Sequence, residues 1–209
     1  MNFLAHFHIA HLTNTSLAGA MLGDFVKGRQ WQALPHDEQV GVLLHRQVDT
    51  FTDQHACVLE ARRKLTKTRF RYSGIAVDMI FDHLLAKHWG VYEQQALHQF
   101  SQRCYRALSA HRPHWPVKMR TVSQRMTEYD WLLSYAEQQT IDAALNNIAR
   151  RMTRAQAQAN QPFQHTYQEW QGQSADFETL FHQFYRDLIG QLPSLQQQVR
   201  VQQHNTIQV

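Results

Sequence analysis

The sequence is poor in the residues that make turns and break helices. It contains 8 glycines and 5 prolines in 209 residues, too few for the turn every ~10 residues that an all-β fold requires. Hydrophobic residues make up only 43% of the chain, and no long run rich in valine and threonine predicts a buried strand. We therefore predict an all-α protein that folds as a single compact helical domain.

Cysteines and long apolar runs are also scarce. Cys57 and Cys104 are the two cysteines, and their spacing, typical neither of a disulfide framework nor of a zinc knuckle, favours a reduced, cytoplasmic compartment. No apolar run reaches the ~18 residues of a membrane span, and the N-terminus lacks the basic region of a signal peptide. The formal net charge of +4 is too small to indicate a nucleic-acid partner.

Several catalytic motifs are missing as well. The chain has no GxxxxGK[ST] or GxGxxG phosphate loop, no GxSxG elbow and no signature around a catalytic cysteine. Covalent catalysis therefore has no candidate nucleophile. What the chain does have is 14 histidines, and most of them lie, with paired carboxylates, in its first 90 residues.

One such pair lies in a predicted core helix that reaches to Trp89. Its apolar residues recur at three- and four-residue steps, yet Asp78 and Asp82 lie one turn apart, and His83 follows Asp82. Two carboxylates at this spacing repel each other, and the cost increases in an apolar helix. We therefore expect a positive group to face them, either a metal ion or a lysine or arginine side chain.

A second pair lies in a helix predicted over residues 36–53. His45 and Asp49 are four residues apart and so project from one face, as do the two histidines of an HExxH metal site. Imidazole nitrogen together with carboxylate oxygen suits Mn, Fe or Zn, and three or more carboxylates favour a hard cation such as Mn²⁺ or Mg²⁺. The alternative is a surface ion pair that contributes little to stability.

Asp24 and His6 are the remaining candidate ligands. Asp24 follows a short helix whose small residues predict close backbone approach, and it can instead cap that helix or pair with Lys27 or Arg29. His6 lies in an apolar segment, where a hydrogen-bonded core histidine is the alternative. The small residues are Ala18, Gly19, Ala20 and Gly23. Facing helices of a bundle can build a metal site from such side chains.

Two further segments have an unusual composition. A basic run from Arg62 to Arg71 is either a solvated helix end or a docking face for an anionic partner. A nucleic-acid partner is not favoured, because few aromatic residues that could stack on bases lie nearby. The docking residues that we expect in it are Arg62, Arg63, Lys64, Lys67 and Arg69. The glutamine-rich residues 193–209 are expected to extend beyond a helical domain at 1–192.

Four blocks of the chain together resemble a known family. They are MNFLAH (1–6), GDFVKG (23–28), GVLLHRQVDTFTD (41–53) and DMIFDHLLAKHW (78–89), and they resemble the bacterial acyl carrier protein phosphodiesterases. The resemblance implies an all-helical fold distantly related to the HD-domain phosphohydrolases. It also implies a Mn²⁺-dependent hydrolase, with Mg²⁺ or another divalent cation as alternatives, that removes 4′-phosphopantetheine from holo-acyl carrier protein.

The resemblance also suggests roles for single residues. The family's essential aspartate matches Asp24, and its two other patterns, HRxxD and DxxxDH, begin at His45 and Asp78. With the residue chemistry, the expected metal ligands are His6, Asp24, His45, Asp49, Asp82 and His83. Asp24, Arg46 and Lys27 are the expected catalytic residues, and Asp78 and Asp53 are expected to support the ligands. The Asp–His order at 82–83 is the reverse of the HD doublet, so the HD ligand pattern does not transfer directly.

Two other functions remain open at this point. One keeps the metal but acts on nucleotides or other small phosphoesters. The other is a non-catalytic helical module that binds a carrier protein or another acidic partner, for which a metal is not needed.

Overall fold

Helices make up the regular structure of the chain. The computed structural model describes residues 2–66, 70–110, 112–141, 143–145 and 166–207, and these residues form helices and no strand. The prediction of an all-α fold is confirmed. Within the described residues no helix is both long and apolar enough to span a bilayer.

The helices are numbered here in chain order. The first six are α1 (Phe3–Leu12), α2 (Leu17–Leu22), α3 (His36–Gln54), α4 (Ala56–Lys64), α5 (Phe70–Lys87) and α6 (Trp89–Tyr92), with a 3₁₀ turn at Gln30–Ala33. The remaining ones are α7 (Leu97–Leu108), α8 (Val117–Glu128), α9 (Trp131–Ser134), α10 (Thr166–Gln171) and α11 (Ser174–Ile207).

Helix α1 lies at the centre of the fold. Every residue from Leu4 to Ala10 is buried, as expected of a helix that is apolar on all sides. Asn2 caps its first turn by accepting a hydrogen bond from the backbone N–H of Phe3. Because α2, α3 and α5 all pack against α1, its histidines His6 and His8 are buried in the core.

Helices α2 and α3 approach each other closely at two glycines. A Cβ on Gly19 would lie 2.9 Å from the Cα of Gly41, and one on Gly41 would lie 2.7 Å from the Cα of Gly19. The predicted close backbone approach of the small-residue helix is therefore confirmed. The crossing brings the residues that follow α2 beside the middle of α3.

The first turn of α3 is fixed by a buried carboxylate. Glu38 is fully buried and accepts hydrogen bonds from Arg112 Nη1 at 3.1 Å, His114 Nε2 at 2.7 Å and Trp115 Nε1 at 2.9 Å. Three donors compensate for the loss of hydration that a buried carboxylate suffers. They tie the start of α3 to the segment before α8.

The glutamine-rich end of the chain does not form a separate segment. Helix α11 continues without a break through Pro193 to Ile207, and Leu195 and Val199 are buried against the core. Gln196 Nε2 also donates to the carbonyl of Thr13 at 3.1 Å. Composition suggested an extension because the glutamines dominate, but the apolar residues at helical spacing continue the buried stripe of α11.

Candidate metal centre

Three side chains from two helices converge on one point. His6 comes from α1, and His45 and Asp49 come from adjacent turns of α3. Asp49 Oδ1 lies 3.1 Å from His6 Nε2, and Asp49 Oδ2 lies 3.1 Å from His45 Nε2. One potential ligand atom from each residue lies within 4.8 Å of the others. Among the described residues this is the only such cluster of histidine, cysteine or carboxylate side chains.

The orientation of His45 suits metal binding. Its Nδ1 lies 2.8 Å from the carbonyl of Ala20, and because a carbonyl only accepts, this nitrogen carries the proton. The lone pair of a neutral ring is then on Nε2, which faces Asp49. Metal-binding histidines are usually fixed in this way by a hydrogen bond from the other ring nitrogen.

A glycine makes room for the His45 ring. A Cβ at Gly23 would lie 2.2 Å from Cγ and 2.6 Å from Nδ1 of His45. Any side chain at this position would therefore displace the ring. Gly23 immediately precedes Asp24, so the same turn admits the imidazole and presents the carboxylate.

His6 forms the buried side of the cluster. Its side chain is 3% exposed, and its ring stacks on that of His45 with centroids 3.8 Å apart. Burial, together with the nearby charge of His45, lowers the pKa of His6 to about 3. The ring is therefore neutral near pH 7, as a metal ligand must be.

Asp49 and Asp24 form the open side. Their side chains are 41% and 47% exposed, and Asp24 Oδ1 lies 3.8 Å from His45 Nε2. Burial alone would raise the pKa of Asp49, but contacts with His45 and His6 hold it well below its usual range. Desolvation raises the pKa of Asp24, with His45 opposing and Asp49 adding to the shift. Asp24 is thus the carboxylate more readily protonated.

This donor set fits a divalent cation. Two neutral imidazole nitrogens and up to two carboxylates are typical of Mn²⁺, Fe²⁺ or Zn²⁺ sites. In the neutral form of the ring, the lone pair on His45 Nε2 faces the oxygens of Asp49 and Asp24, so that no donor lies between these acceptors. A cation at this point would satisfy all of them.

The structure does not bring the Asp82–His83 doublet to this cluster. Asp82 is fully buried, and its Oδ2 accepts a hydrogen bond at 2.8 Å from the backbone N–H of Leu4, at the start of α1. His83 Nδ1 donates to the carbonyl of Tyr135 at 2.7 Å. Both were expected as ligands, but adjacent residues diverge by ~100° around a helix, and each already has a different protein partner.

The two supporting aspartates are placed differently from each other. Asp78 is partly buried on α5, and its charge raises the pKa of both Asp24 and Asp82, so it lies beside the open side of the cluster. Asp53 is exposed, one turn beyond Asp49 on α3. The structure therefore places Asp78, rather than Asp53, near the candidate site.

Arg46 and Lys27 lie in and around the loop after α2. Arg46 donates from Nη2 to the carbonyl of Val26 at 2.7 Å and from Nη1 to that of Gly28 at 2.9 Å. It therefore holds the loop, where we had expected a catalytic residue. Lys27 is exposed in the same loop, three residues after Asp24.

The basic run is only partly described. Lys64 pairs with Asp176 at 2.7 Å, and Arg63 lies 3.5 Å from Glu60. Arg62 donates to Ser73. The other two docking residues, Lys67 and Arg69, lie outside the described residues.

Comparison with known proteins gives the family of the chain. The family model for acyl carrier protein phosphodiesterase matches residues 1–188. The protein of that name from Photorhabdus laumondii is 33% identical over 186 residues, covering 88% of this chain and 91% of that protein. The one from Yersinia pestis is 34% identical over 192 residues, covering 91% and 97%. The chain belongs to the acyl carrier protein phosphodiesterase family.

Family membership bears on the other functions that the sequence had left open. The homologue from an Enterobacter strain spans 94% of this chain and 100% of its own length at 32% identity, so the likeness is not confined to the motif blocks. The prediction of a phosphodiester hydrolase is confirmed. No solved structure matches the chain, so the relation to HD-domain phosphohydrolases stays a prediction.

Sequence reasoning missed three contributors to the site of this family member. Gly23 was read only as a small residue, although its place beside Asp24 was a usable signal. The Ala20 carbonyl carries no signal in the sequence, because any residue has one. Tyr135 is buried and accepts a hydrogen bond at 3.2 Å from Asn2, the residue that caps α1; its distance along the chain from the motif blocks hid this contact with the helix that carries His6.

Proposed function

We propose that this chain hydrolyses the phosphodiester that joins 4′-phosphopantetheine to a serine of holo-acyl carrier protein. Addition of water across the P–O bond would release phosphopantetheine and leave the apo-protein with a free serine hydroxyl. The observation that carries the proposal is the convergence of His6, His45 and Asp49 within 4.8 Å in a chain of the acyl carrier protein phosphodiesterase family.

In this proposal the three residues hold a divalent cation, and we favour Mn²⁺. A bound cation of this kind polarises a phosphoryl oxygen and lowers the pKa of water. The protein contributes two oriented imidazoles, one of them fixed by the Ala20 carbonyl. Burial of His6 at 3% exposure keeps bulk water from the inner side of the site, so that the substrate must approach from the side of Asp49.

Asp24 is the proposed proton acceptor. It lies at the exposed edge of the cluster, 3.8 Å from His45 Nε2, where an attacking water and the scissile phosphate would meet. A carboxylate whose pKa is raised accepts a proton from water more readily at neutral pH than an ordinary one. The raised pKa of Asp24 therefore supports this role.

Arg46 is proposed as a positioning residue. Its two hydrogen bonds to Val26 and Gly28 hold the loop that begins at Asp24. The same loop carries Lys27, whose exposed side chain is our candidate to neutralise charge that develops on the phosphoryl oxygens.

The basic end of α4 is the proposed docking surface for the carrier protein. Arg62 contacts Ser73 on α5, and five helical residues, or about 7.5 Å, separate Ser73 from Asp78 beside the site. A carrier protein held there can deliver its prosthetic group to the cluster. Since carrier proteins are acidic, charge complementarity would act mainly on encounter rate and orientation.

The experiment is release of phosphopantetheine from purified holo-acyl carrier protein, followed by intact-protein mass spectrometry. We expect release with Mn²⁺ and none after EDTA treatment. His45→Ala should abolish release, whereas His98→Ala, the same change at an exposed position on α7, should leave it intact. Absence of release by the Mn²⁺-loaded protein would reject the proposed substrate, and full activity of His45→Ala would reject the proposed site.

A further inference from the structure

One ring nitrogen of His6 has no protein partner. Its Nε2 faces Asp49, but within the part of the chain that the structure describes no group hydrogen-bonds to Nδ1, which is fully buried. By contrast, His45 Nδ1 is held by the Ala20 carbonyl. A buried ring nitrogen without a partner is costly, and the carboxylate of Asp49 lies near only the other ring nitrogen of His6, Nε2.

The His6 ring forms part of the wall of a small, partly open space. Its volume is about 10 Å³, close to the ~10–15 Å³ that one buried water needs. Apolar side chains and backbone form most of its wall. The polar side chains in its wall are those of His6, His45 and Thr15.

Thr15 has a hydroxyl that can accept a hydrogen bond. Thr13 Oγ1 donates its one proton to the carbonyl of Ile9 at 2.7 Å. In the 3.0 Å contact between the two threonine hydroxyls, Thr15 must therefore be the donor and Thr13 the acceptor. The lone pairs of Thr15 Oγ1 remain available to a third group.

We propose that a single buried water bridges His6 Nδ1 and Thr15 Oγ1, which makes Thr15 a positioning residue for the metal centre. The donors run in one direction. His6 Nδ1–H donates to the water, the water donates to Thr15, and Thr15 donates to Thr13. This order leaves the lone pair of His6 on Nε2, toward Asp49, just as the Ala20 carbonyl does for His45.

The water has a route to solvent. Thr15 and Leu44 line both the small cavity and a larger surface cleft of about 270 Å³ that is bordered by α3 and α11. The two spaces therefore share these side chains in their walls. In this proposal, a water beside His6 exchanges with solvent through the cleft when these side chains move.

The test uses Thr15→Val, which keeps the shape and removes the hydroxyl, and Thr15→Ser, which keeps the hydroxyl. Water-¹⁷O magnetic relaxation dispersion on the metal-free protein counts long-lived buried waters, and titration with Mn²⁺ gives the dissociation constant. We expect Thr15→Val to lose one long-lived water and to bind Mn²⁺ about tenfold more weakly, the lower end of the range for residues behind a metal ligand. Thr15→Ser should match the wild type in both.

Thr127→Val, the same change on α8 where the hydroxyl bonds to the Ser123 carbonyl, is the control and should change neither readout. An unchanged water count in Thr15→Val would overturn the bridging water. A lost water with unchanged Mn²⁺ affinity would overturn the positioning role, and equal losses in Thr15→Ser would assign the effect to packing. The positioning role rests on the proposed metal site, whereas the bridging water does not. If the wild type binds no Mn²⁺, the metal site is rejected, and the count of long-lived waters still tests the bridging water.

Discussion

Replacing Gly23 with alanine would put a methyl carbon where the ring of His45 lies. The new Cβ would be 2.2 Å from Cγ and 2.4 Å from Cδ2 of that ring, whereas carbon atoms in contact lie about 3.5–4.0 Å apart. The ring cannot retreat toward α1, because His6 stacks on it at 3.8 Å. It must rotate away and lose its hydrogen bond to the Ala20 carbonyl.

The expected cost has two parts. Overpacking costs about 1–3 kcal/mol, and the lost hydrogen bond costs about 1 kcal/mol more, so Gly23→Ala should lower the free energy of unfolding by about 2–4 kcal/mol. The dissociation constant for Mn²⁺ should rise by at least ~100-fold, the upper end of the range for residues that only orient a ligand. At a Mn²⁺ concentration of about 100 times the wild-type dissociation constant, metal-dependent stabilisation should fall from about 2.7 to about 0.4 kcal/mol.

Urea denaturation with Mn²⁺ and with EDTA measures both quantities. The control is Gly190→Ala on α11, where a Cβ meets nothing within 4 Å and alanine in a helix interior should stabilise by about 0.5–1 kcal/mol. This control should keep the full difference in free energy of unfolding between Mn²⁺ and EDTA. If Gly23→Ala kept that increment too, His45 would not be a ligand in the orientation described.

Four other changes test separate parts of the site and fold. Asp24→Asn should lower kcat by about 10²–10⁴-fold with Mn²⁺ still bound; loss of the metal as well would make Asp24 a ligand. Asp82→Asn should keep Mn²⁺ affinity within about threefold, since the amide oxygen can still accept a hydrogen bond from the start of α1. An affinity loss of ~10–100-fold, as seen when residues around a metal are changed, would contradict the position of Asp82 outside the cluster. Arg63→Glu should slow action on holo-carrier protein, most at low ionic strength, but not on bis(p-nitrophenyl) phosphate, with Lys118→Glu on α8 as control; equal slowing of both substrates would argue against a docking surface. Burial lowers the pKa of His8 from 6.5 to about 4, so the unfolded chain binds this proton first as pH falls. Its contribution of up to about 3 kcal/mol to the free energy of unfolding should therefore be lost between these values, and urea titrations of His8→Gln should show a shallower decline.

The convergence of the two candidate ligands on α3 was predictable because a helix fixes their relation. Four residues along a helix return to the same face, so His45 and Asp49 must point together wherever the helix lies. Likewise, the small residues of α2 predicted the close approach that places Asp24 beside α3. Local geometry and residue size were sufficient for these parts of the site.

The remaining assignments depended on tertiary contacts. Arg46 follows His45 directly, and the sequence could not show that its guanidinium would reach back to the carbonyls of Val26 and Gly28. The structure of the C-terminal segment depended on tertiary contacts for a related reason. Composition is dominated by exposed glutamines, whereas the buried side chains of Leu195 and Val199 determine where the fold ends.

Asp82 shows how a correct observation led to a different role. The repulsion between paired carboxylates on an apolar helix did require a positive partner, and the N-terminus of α1 is one, because its backbone N–H groups carry partial positive charge. Burial raises the pKa of Asp82 to about 7, although the hydrogen bond from Leu4 opposes the shift. His6 lies only two residues beyond Leu4, so the carboxylate that bonds to the start of α1 is close along the helix to the buried member of the cluster. We therefore expect Asp82 to act on the candidate metal centre through the helix that carries His6, without being one of its ligands.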